Sequence, residues 1–417
     1  MKHKIILSLL LLISIGASAQ MEIDKMERLL LTKKDSLGAA NYKWLINLSG
    51  DYYTNSNAIT NSFVKTLAYN GAFVDDALKD KESNRLKKSN RLGADAYAAL
   101  QGIYNGKKLT YVFGVGQRAF LGVRFPEDLF NLVFRGNASF AGQNADLSHT
   151  NVKFFDYQNF YVGAQKQLSE GKFTIGASAS FLRGGNYQSL QMNNTNLYTE
   201  PTGQYVSLNG DLNYSKTSGG SFGKSHGKGA SVNLFFSMKH NKNRLNFEIR
   251  DIGFITWKDV KTYSGDSTYQ YNGLLVNNVL APGASIVNNI TVDSIASSIG
   301  LKIHTQNMTM ALPTVFHVNY MLSPNKRLTR TIGLRYMLAP GYIPQLYIRE
   351  ADFLGKGFTL VNMLSYGGFG RMDYQIGVMK KFQNSFIISL NLFAFEYLVL
   401  PNKSSGNGLN FGLTKLF

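Results

Sequence analysis

The feature that most constrains this chain is a series of long segments in which side-chain polarity alternates with a period of two. The first pair lies around Asn105-Gly106, with alternation from Leu92 to Gln101 before it and from Leu109 to Gly116 after it. Asn-Gly between two alternating segments predicts a hairpin with a type I′ turn. Further pairs surround residues 169–171, 240–244, 323–327 and 383–384. The chain is therefore expected to be all-β and antiparallel, in up-and-down order.

The length of these segments indicates the environment of the strands. Most of them run for about 10 to 14 residues, whereas strands of soluble proteins average about 5–6 and a tilted membrane strand needs about 9–11. Only 8 prolines occur in the 417 residues, so little interrupts the strands. A soluble β-sandwich would also alternate. The strand length favours a transmembrane β-barrel over that alternative.

The two faces of the segments differ as the two sides of a barrel wall do. In the segment that starts at Leu245, the apolar face consists of Leu245, Phe247 and Ile249. The other face consists of Asn246, Glu248 and Arg250. This division fits lipid on the outside and a hydrated or filled lumen on the inside.

The first residues predict export. Lys2 and Lys4 precede an apolar stretch from Ile5 to Ile15, and Ala17-Ser18-Ala19 follows. This pattern is typical of a signal peptide over residues 1–19, cleaved between Ala19 and Gln20. About 11 apolar residues are too few for a membrane-spanning helix, which needs about 20. Residues 20–40 have two open interpretations, a short amphipathic helix or a flexible leader, and residues 41–417 form the expected barrel.

The last strand and the tryptophans predict where the barrel meets the membrane surface. Leu409, Phe411, Leu413 and Phe417 share one face of the last ten residues, with Lys415 interrupting it. A closing strand of this kind resembles the signal that the barrel assembly machinery recognises. We predict an aromatic girdle that includes Trp44, Trp257 and Phe417.

Strand counting gives two even numbers, as single-chain bacterial barrels require. Sixteen candidate strands alternate up and down. Fourteen remain if the polar pair 187–199 and 204–214 is an external hairpin. Long external loops are expected at 55–90, 121–153 and 257–312, and the charge-dense stretch from Lys79 to Arg91 is expected to be a solvated loop.

The search for chemistry predicts no catalytic site, no cofactor and no metal site. The chain has no cysteine, and its six histidines show no ligand spacing. The motif Gly223-Lys224-Ser225-His226-Gly227 matches a nucleophile elbow, but it lies in a glycine-rich loop without the strand and helix that this motif needs. His317 alternates with Val315 and Asn319 and is expected to line the lumen.

The formal net charge of +18 comes from 44 Lys and Arg against 26 Asp and Glu. We expect no nucleic-acid partner, because no basic groove with interleaved aromatic residues is present. Two interpretations remain open: contact with lipopolysaccharide phosphates, and a lumen that favours anions.

Three segments carry a family resemblance: Arg250-Asp251-Ile252-Gly253-Phe254-Ile255-Thr256-Trp257, Leu312-Pro313-Thr314-Val315 with the residues to Val318, and Asn90-Arg91-Leu92-Gly93-Ala94. The chain resembles a Bacteroidota family of outer-membrane β-barrels of unknown function, related in pattern to FadL-type lipid transporters and to the PorP/SprF and PorV proteins of type IX secretion. The resemblance implies about fourteen strands. It implies a scaffold motif of Arg250, Asp251, Gly253, Phe254, Trp257 and Pro313, and no catalytic or ligand residue.

These observations lead to two functional hypotheses for a protein of the outer membrane. The first is passive transport of a small hydrophobic or amphipathic molecule, with residues 20–40 or 257–312 as a hatch. The alternative is a non-transporting scaffold or anchor for type IX secretion or another surface complex. The expected partners are outer-membrane lipid and lipopolysaccharide, the barrel assembly machinery, and either a small lipophilic ligand or a secretion-complex protein.

Overall fold

The computed structural model describes residues 42–69, 74–218, 225–266, 268–271, 293, 296, 300–323, 325, 327–383, 385–400 and 402–417. The predicted signal peptide, its cleavage site at Ala19 and Gln20, and the leader 20–40 lie outside the described residues. The strands are β1 Trp44–Ser56, β2 Asn90–Asn105, β3 Thr110–Phe125, β4 Asn144–Asp146, β5 Thr150–Leu168, β6 Phe173–Thr199, β7 Val206–Lys216, β8 Gly227–His240, β9 Asn243–Gly265, β10 Thr268–Tyr271, β11 Lys302–Ala311, β12 Val315–Leu322, β13 Leu328–Met337, β14 Ile343–Gly355, β15 Phe358–Gly368, β16 Met372–Lys381, β17 Phe386–Phe393 and β18 Asn407–Leu416.

Within the described residues, fourteen strands form a closed antiparallel wall. Their order around the barrel is β1, β2, β3, β5, β6, β8, β9 and then β12 to β18. The wall closes where β1 pairs with β18, from Leu45 opposite Leu416 to Thr54 opposite Asn407. Closure leaves no sheet edge exposed to lipid, and it excludes the soluble sandwich.

The two ends of the barrel differ in their connections. At one end, the turn end, neighbouring strands are joined at 106–109, 169–172, 241–242, 323–327, 356–357 and 382–385. Trp44 and Phe417 lie at this end, where the Trp44 amide donates to the Phe417 carbonyl over 3.3 Å. The opposite end, the loop end, carries the longer connections. The predicted positions of the short turns are confirmed.

One predicted turn has a different geometry. Neither Asn105 nor Gly106 has a positive φ, so the type I′ turn is not formed. Asn105 instead pairs with Thr110, and the Gly106 amide donates to the Leu109 carbonyl over 2.9 Å. The four-residue connection places Lys107 and Lys108 at its tip, where a two-residue turn would have placed them in the strand.

Several strands continue beyond the wall at the loop end. β6 extends to Thr199 and there pairs with β7, which pairs with β9 on its other side, outside the barrel. The polar pair 187–199 and 204–214 is therefore an external hairpin, which confirms the count of fourteen. β4, β10 and β11 complete this external sheet.

Helices of the long connections cover the outside of the wall near the loop end. They are α1 Asn61–Tyr69, α2 Asp76–Ser83 and α3 Glu127–Arg135, while the short α4 Glu396–Val399 follows β17. The rings of Phe63 in α1 and Phe134 in α3 lie 4.9 Å apart, and both belong to an apolar cluster that includes Leu121 and Val123 of β3. This part of the wall is thus covered by protein. Among the described residues, no helix is long and apolar enough to cross a membrane.

The charge-dense stretch from Lys79 to Arg91 differs from its prediction as a solvated loop. Its first part belongs to α2, and Glu82 is completely buried. The Glu82 carboxylate accepts hydrogen bonds from the Thr60 amide, over 3.0 Å, and from the Thr60 hydroxyl. Two hydrogen bonds stabilise the buried charge, which periodicity and composition alone did not indicate.

Candidate functional site

The wall has its polar residues inside and its apolar residues outside. On β9, Asn246, Glu248 and Arg250 are buried in the lumen, while Phe247 between them is 44% exposed on the outside. His317 and Asn319 of β12 are buried in the same way. A soluble protein would show the reverse arrangement. The predicted two-faced pattern and the lumenal position of His317 are both confirmed.

A β-bulge on β9 changes which residues face the lumen. Arg250 and Asp251 lie opposite the single residue Asn233 of β8, where the register shifts. Asp251 has a φ of 57°, and its amide donates to the Asn233 side-chain oxygen over 2.8 Å. A bulge re-aims the side chains beyond it. Here, two consecutive residues turn their charged groups inward.

Arg118 of β3 is the centre of one lumenal ion cluster. Its guanidinium holds Asp95 of β2 at two points, Nε to Oδ1 at 2.9 Å and Nη2 to Oδ2 at 2.8 Å. The third nitrogen, Nη1, donates to Asp251 over 2.6 Å and to the Tyr157 hydroxyl over 3.4 Å. The bulge is what brings Asp251, from across the barrel, to this arginine.

A second group of polar residues lies beside the first. Glu248 Oε2 is 3.6 Å from Arg250 Nε and 3.7 Å from His317 Nδ1. The other ring nitrogen of His317 lies 2.8 Å from the hydroxyl of Tyr347 on β14. His317 of β12 thereby connects the Glu248 carboxylate of β9 to Tyr347 of β14.

Arg335 of β13 differs from the other two arginines. Its side chain is 2% exposed, and its Nε and Nη2 have no hydrogen-bond partner among the described residues. It lies opposite His317 on one side and Gln345 on the other. A buried guanidinium in this state carries a desolvation cost, which the attraction of the Asp95 carboxylate offsets only in part.

Towards the loop end, apolar side chains fill the lumen. This loop-end cluster consists of Phe120, Phe155, Tyr157, Leu182, Tyr187, Ile255, Trp257, Val260, Met310, Leu312, Val315, Met337, Tyr342 and Phe369. Phe369, between β15 and β16, reaches across to Phe120 of β3, with ring centroids 6.3 Å apart. The cluster therefore spans the lumen from one wall to the other.

Two connections at the loop end cross over this cluster. Arg91 of β2 donates to the Gly370 carbonyl over 2.6 Å, and the Phe369 ring packs on Gly93, where a Cβ would come within 2.0 Å of it. A Cβ on Gly122 of β3 would come within 3.1 Å of the Pro340 carbonyl. The connections between β13 and β14 and between β15 and β16 thus contact the opposite wall. Together with the loop-end cluster they obstruct the lumen at the loop end, within the described residues.

A cavity occupies the lumen on the turn-end side of these groups, with about 1140 Å³ of empty space when the solvent at its open side is included. It runs from Ile103 and Thr110, near the turn end, to Arg118 and Asp251. Tyr157 belongs both to the cavity wall and to the loop-end cluster. The lining combines aromatic and aliphatic surface with a few polar groups, which is the usual composition of a small-molecule site.

The predicted scaffold motif lies at this centre. Arg250, Asp251 and Trp257 face the lumen, Gly253 accepts a hydrogen bond from the Leu312 amide over 3.0 Å, and Phe254 is exposed on the outside. Pro313 is buried in the break between β11 and β12. The Thr314 hydroxyl next to it donates to the Asp251 carbonyl over 3.2 Å. The break therefore faces the bulge, and the motif shapes the wall at that point.

The predicted aromatic girdle needs one correction. Trp257 is 0% exposed and stacks on Tyr187, with ring centroids 5.4 Å apart, so its assignment to the girdle is wrong. Trp44 is 42% exposed and Phe417 is 60% exposed, both on the outside at the turn end. Their role at the membrane surface stays a prediction.

The turn end has a large excess of cations over acidic residues. We call the Lys and Arg residues of its turns and strand ends the turn-end cations: Lys43, Lys107, Lys108, Lys166, Lys172, Lys239, Lys242, Arg244, Arg327, Arg330, Arg349, Lys356, Lys380, Lys381 and Lys415. The acidic residues described in the same region are Glu170, Glu350 and Asp352. In the lumen, by contrast, three arginines lie among carboxylates.

The external sheet has a cluster of its own. Lys261 Nζ lies 2.6 Å from Asp293, whose other oxygen accepts from the Tyr263 hydroxyl. Burial raises the pKa of Tyr263 well above its usual value, and the Asp293 carboxylate raises it further. Hydrogen bonds from Lys261 and Tyr263 lower the pKa of Asp293. This cluster ties Asp293 to β9 outside the membrane-spanning part.

The residues of the glycine-rich elbow motif are only partly described. Gly223 and Lys224 lie outside the described residues, while the Ser225 hydroxyl donates to the Gly227 carbonyl over 3.0 Å. Among the described residues, no group of three or more His, Asp or Glu side chains is placed to hold a metal ion.

The fold and its lumen define a transmembrane β-barrel of fourteen strands, in whose described part apolar side chains fill the loop end and a cavity lies towards the turn end. Residues 38–349 match the model of the family of unknown function DUF5723, and the chain belongs to this family. A comparison with curated proteins finds no match.

Solved barrels are similar over nearly their whole length, at low identity. The Ralstonia pickettii toluene transporter TbuX is 11% identical, with 93% of each chain covered and a TM-score of 0.46. The Pseudomonas putida toluene transporter TodX is 9% identical, with 92% of this chain and 91% of that chain covered and a TM-score of 0.44. A Pseudomonas aeruginosa FadL homologue is 8% identical, with 92% of each chain covered and a TM-score of 0.44.

Proposed function

We propose that this protein is an outer-membrane channel for a small hydrophobic or amphipathic molecule. The observation that carries the proposal is the contact between the cavity and the loop-end cluster through Tyr157. A molecule in the cavity would contact Arg118 and its partners. The apolar side chains of the loop-end cluster would lie between this molecule and the loop end. In this proposal the cavity is the binding chamber, and the loop-end cluster is the closed gate.

The orientation in the membrane is part of the proposal. Short turns of such barrels face the periplasm and long connections face the outside. The turn end would then be periplasmic, and the gate would lie at the cell surface. The sequence suggested residues 20–40 or 257–312 as a hatch. Residues 20–40 and, within the second segment, 272–292 lie outside the described residues.

The test uses two tryptophan substitutions at neighbouring positions of β6. Ser178 lines the cavity, whereas Ala179 is exposed on the outside of the wall. Ser178→Trp should fill part of the cavity and Ala179→Trp should leave it unchanged. Proteoliposomes with an enclosed fatty-acid sensor would receive decanoate at a temperature at which empty vesicles take it up slowly.

The expected result is faster initial uptake for the native protein and for Ala179→Trp than for empty vesicles, with a loss of most of this increment for Ser178→Trp. Equal rates in vesicles with and without the native protein would contradict transport. Equal rates for the two variants would contradict the cavity as the path.

A second candidate function, a non-transporting scaffold, is favoured by the size of the external structure. The helices α1 to α3 and the external sheet form a protein surface beyond the wall, and the lumen is obstructed at the loop end within the described residues. The resemblance of the sequence to PorP/SprF and PorV proteins also favours a scaffold function. Crosslinking in intact cells followed by mild detergent extraction would test it, and recovery of the barrel alone would contradict it. We propose no catalytic activity.

A further inference from the structure

Several of the turn-end cations lie beside aromatic rings on the outer side of the wall. Trp44 packs on Tyr104 with ring centroids 4.7 Å apart, and Lys43 Nζ lies 5.8 Å from the same Tyr104 ring. Lys43 and Trp44 are both exposed. On this side of the barrel, a cation and an indole thus share the surface on which lipid headgroups meet the wall.

The same pairing of lysine and aromatic ring recurs on the neighbouring strands. Lys415 Nζ lies 4.4 Å from the centre of the Phe386 ring and 5.6 Å from that of Phe417. Lys380 Nζ lies 3.8 Å from the Phe358 ring. Alternation along β16 and β18 places both lysines on the outward face, at its turn-end margin. These cations point to the membrane side of the wall, since the lumen is on the other face.

We propose that the turn-end cations on the outer side of the wall, among them Lys43, Lys380 and Lys415, bind the phosphates of anionic phospholipids in the leaflet that surrounds the turn end. Three observations support this occupant. The region has a large excess of cations over its three described acids. The lysines lie beside rings on the outer side of the wall, where we predict the membrane surface. The loop end carries both signs of charge, as in α2 and its N-cap. Lipopolysaccharide, at the opposite surface in the proposed orientation, would not meet this ring of charge.

The physical basis is electrostatic attraction at a surface where water is partly excluded. Each Lys or Arg near an anionic membrane surface raises the binding constant about fivefold. Aromatic rings alone anchor a barrel at the interface without distinguishing the charge of the headgroup. A preference for anionic over zwitterionic lipid therefore measures the contribution of the lysines and not that of the aromatic rings.

The two tryptophans of the chain make the measurement specific. Trp44 lies on the outside at the turn end, and Trp257 is completely buried. The full protein in vesicles would be titrated with brominated phosphatidylglycerol or brominated phosphatidylcholine, whose bromines quench an accessible indole. Trp44→Phe gives the unquenched background of Trp257. The ratio of the two quenching curves gives the relative binding constant beside Trp44.

We expect phosphatidylglycerol to bind at least fivefold more tightly than phosphatidylcholine at low salt, and the ratio to fall towards one in 1 M salt. The variant Lys43→Gln, Lys380→Gln, Lys415→Gln should lose most of the preference. The matched control Lys65→Gln, Lys88→Gln, Lys403→Gln removes three exposed loop-end lysines and should keep it. A ratio of one for the native protein, a preference that survives high salt, or an equal loss in both variants would overturn the proposal.

Discussion

Arg118 of β3 and Asp95 of β2 form a two-point ion pair inside the barrel, at 2.9 and 2.8 Å, and the same guanidinium contacts Asp251 at 2.6 Å. The Arg118 side chain is 8% exposed and that of Asp95 is 2% exposed. Both charges have therefore left water, and their stability depends on each other. The pair links β2 and β3 to β9 on another part of the wall.

Removing the arginine should be costly. Arg118→Met leaves Asp95 and Asp251 buried without their cation, and breaking a buried ion pair on one side costs about 3–5 kcal/mol of unfolding free energy. Urea unfolding in lipid vesicles, followed by the gel mobility of the folded barrel, would measure it. The double variant Arg118→Met, Asp95→Asn should recover part of the loss. An Arg118→Met barrel as stable as the native one would contradict this account.

Substitution of Arg335 should have the opposite effect on the unfolding free energy. Its Nε and Nη2 lack partners among the described residues, so Arg335→Met replaces a poorly compensated buried charge with an apolar side chain of similar length. Substitutions of this kind are neutral or stabilise by about 1–4 kcal/mol. The same urea assay applies, with Arg118→Met as the comparison. Destabilisation of Arg335→Met by a similar amount would show that Arg335 has a partner essential for folding.

The backbone conformation of the bulge at Asp251 determines which residues this position tolerates. With a φ of 57°, this position suits Gly and Asn, whereas a β-branched residue is strained there. Asp251→Val should lower the unfolding free energy by about 1–3 kcal/mol more than Asp251→Asn does. Both variants lose the carboxylate that contacts Arg118, so their difference isolates the backbone. Equal stability of the two would contradict a strained bulge.

The bulge also explains what alternation could and could not predict. Strand length and two-faced segments were enough for the barrel and its short turns, because membrane strands are long and regular. They left fourteen and sixteen strands open, and the family resemblance was needed to prefer fourteen. Counting in twos from Phe247, however, places Trp257 on the outside. The extra residue at Arg250-Asp251 shifts the phase by one, so Phe254 faces out and Trp257 faces in.

The lumenal ion cluster could not be predicted from the sequence, for a related reason. Glu248 and Arg250 were predicted on the polar face of their segment, but Asp95, Arg118 and Arg335 were not singled out. Alternation places Arg118 on the same face of its strand as Phe120, and Arg335 on the same face as Met337. This placement was the signal that could have identified both arginines as lumenal. Which charges meet is decided by the stagger of neighbouring strands and by closure of the barrel. Period-two patterns carry no information on either.

The buried position of Trp257 leads to a prediction about the gate. Trp257→Ala removes an indole from the loop-end cluster, and a cavity of this size costs about 3–5 kcal/mol of stability. If the cluster is the gate, the variant should pass decanoate faster than the native protein in the vesicle assay. Phe254→Ala is the matched control, because Phe254 lies three residues earlier on β9 and is 48% exposed on the outside. Folded Trp257→Ala barrels, identified by their gel mobility, with native uptake rates would show that the cluster is a permanent plug, and the scaffold function would then be favoured.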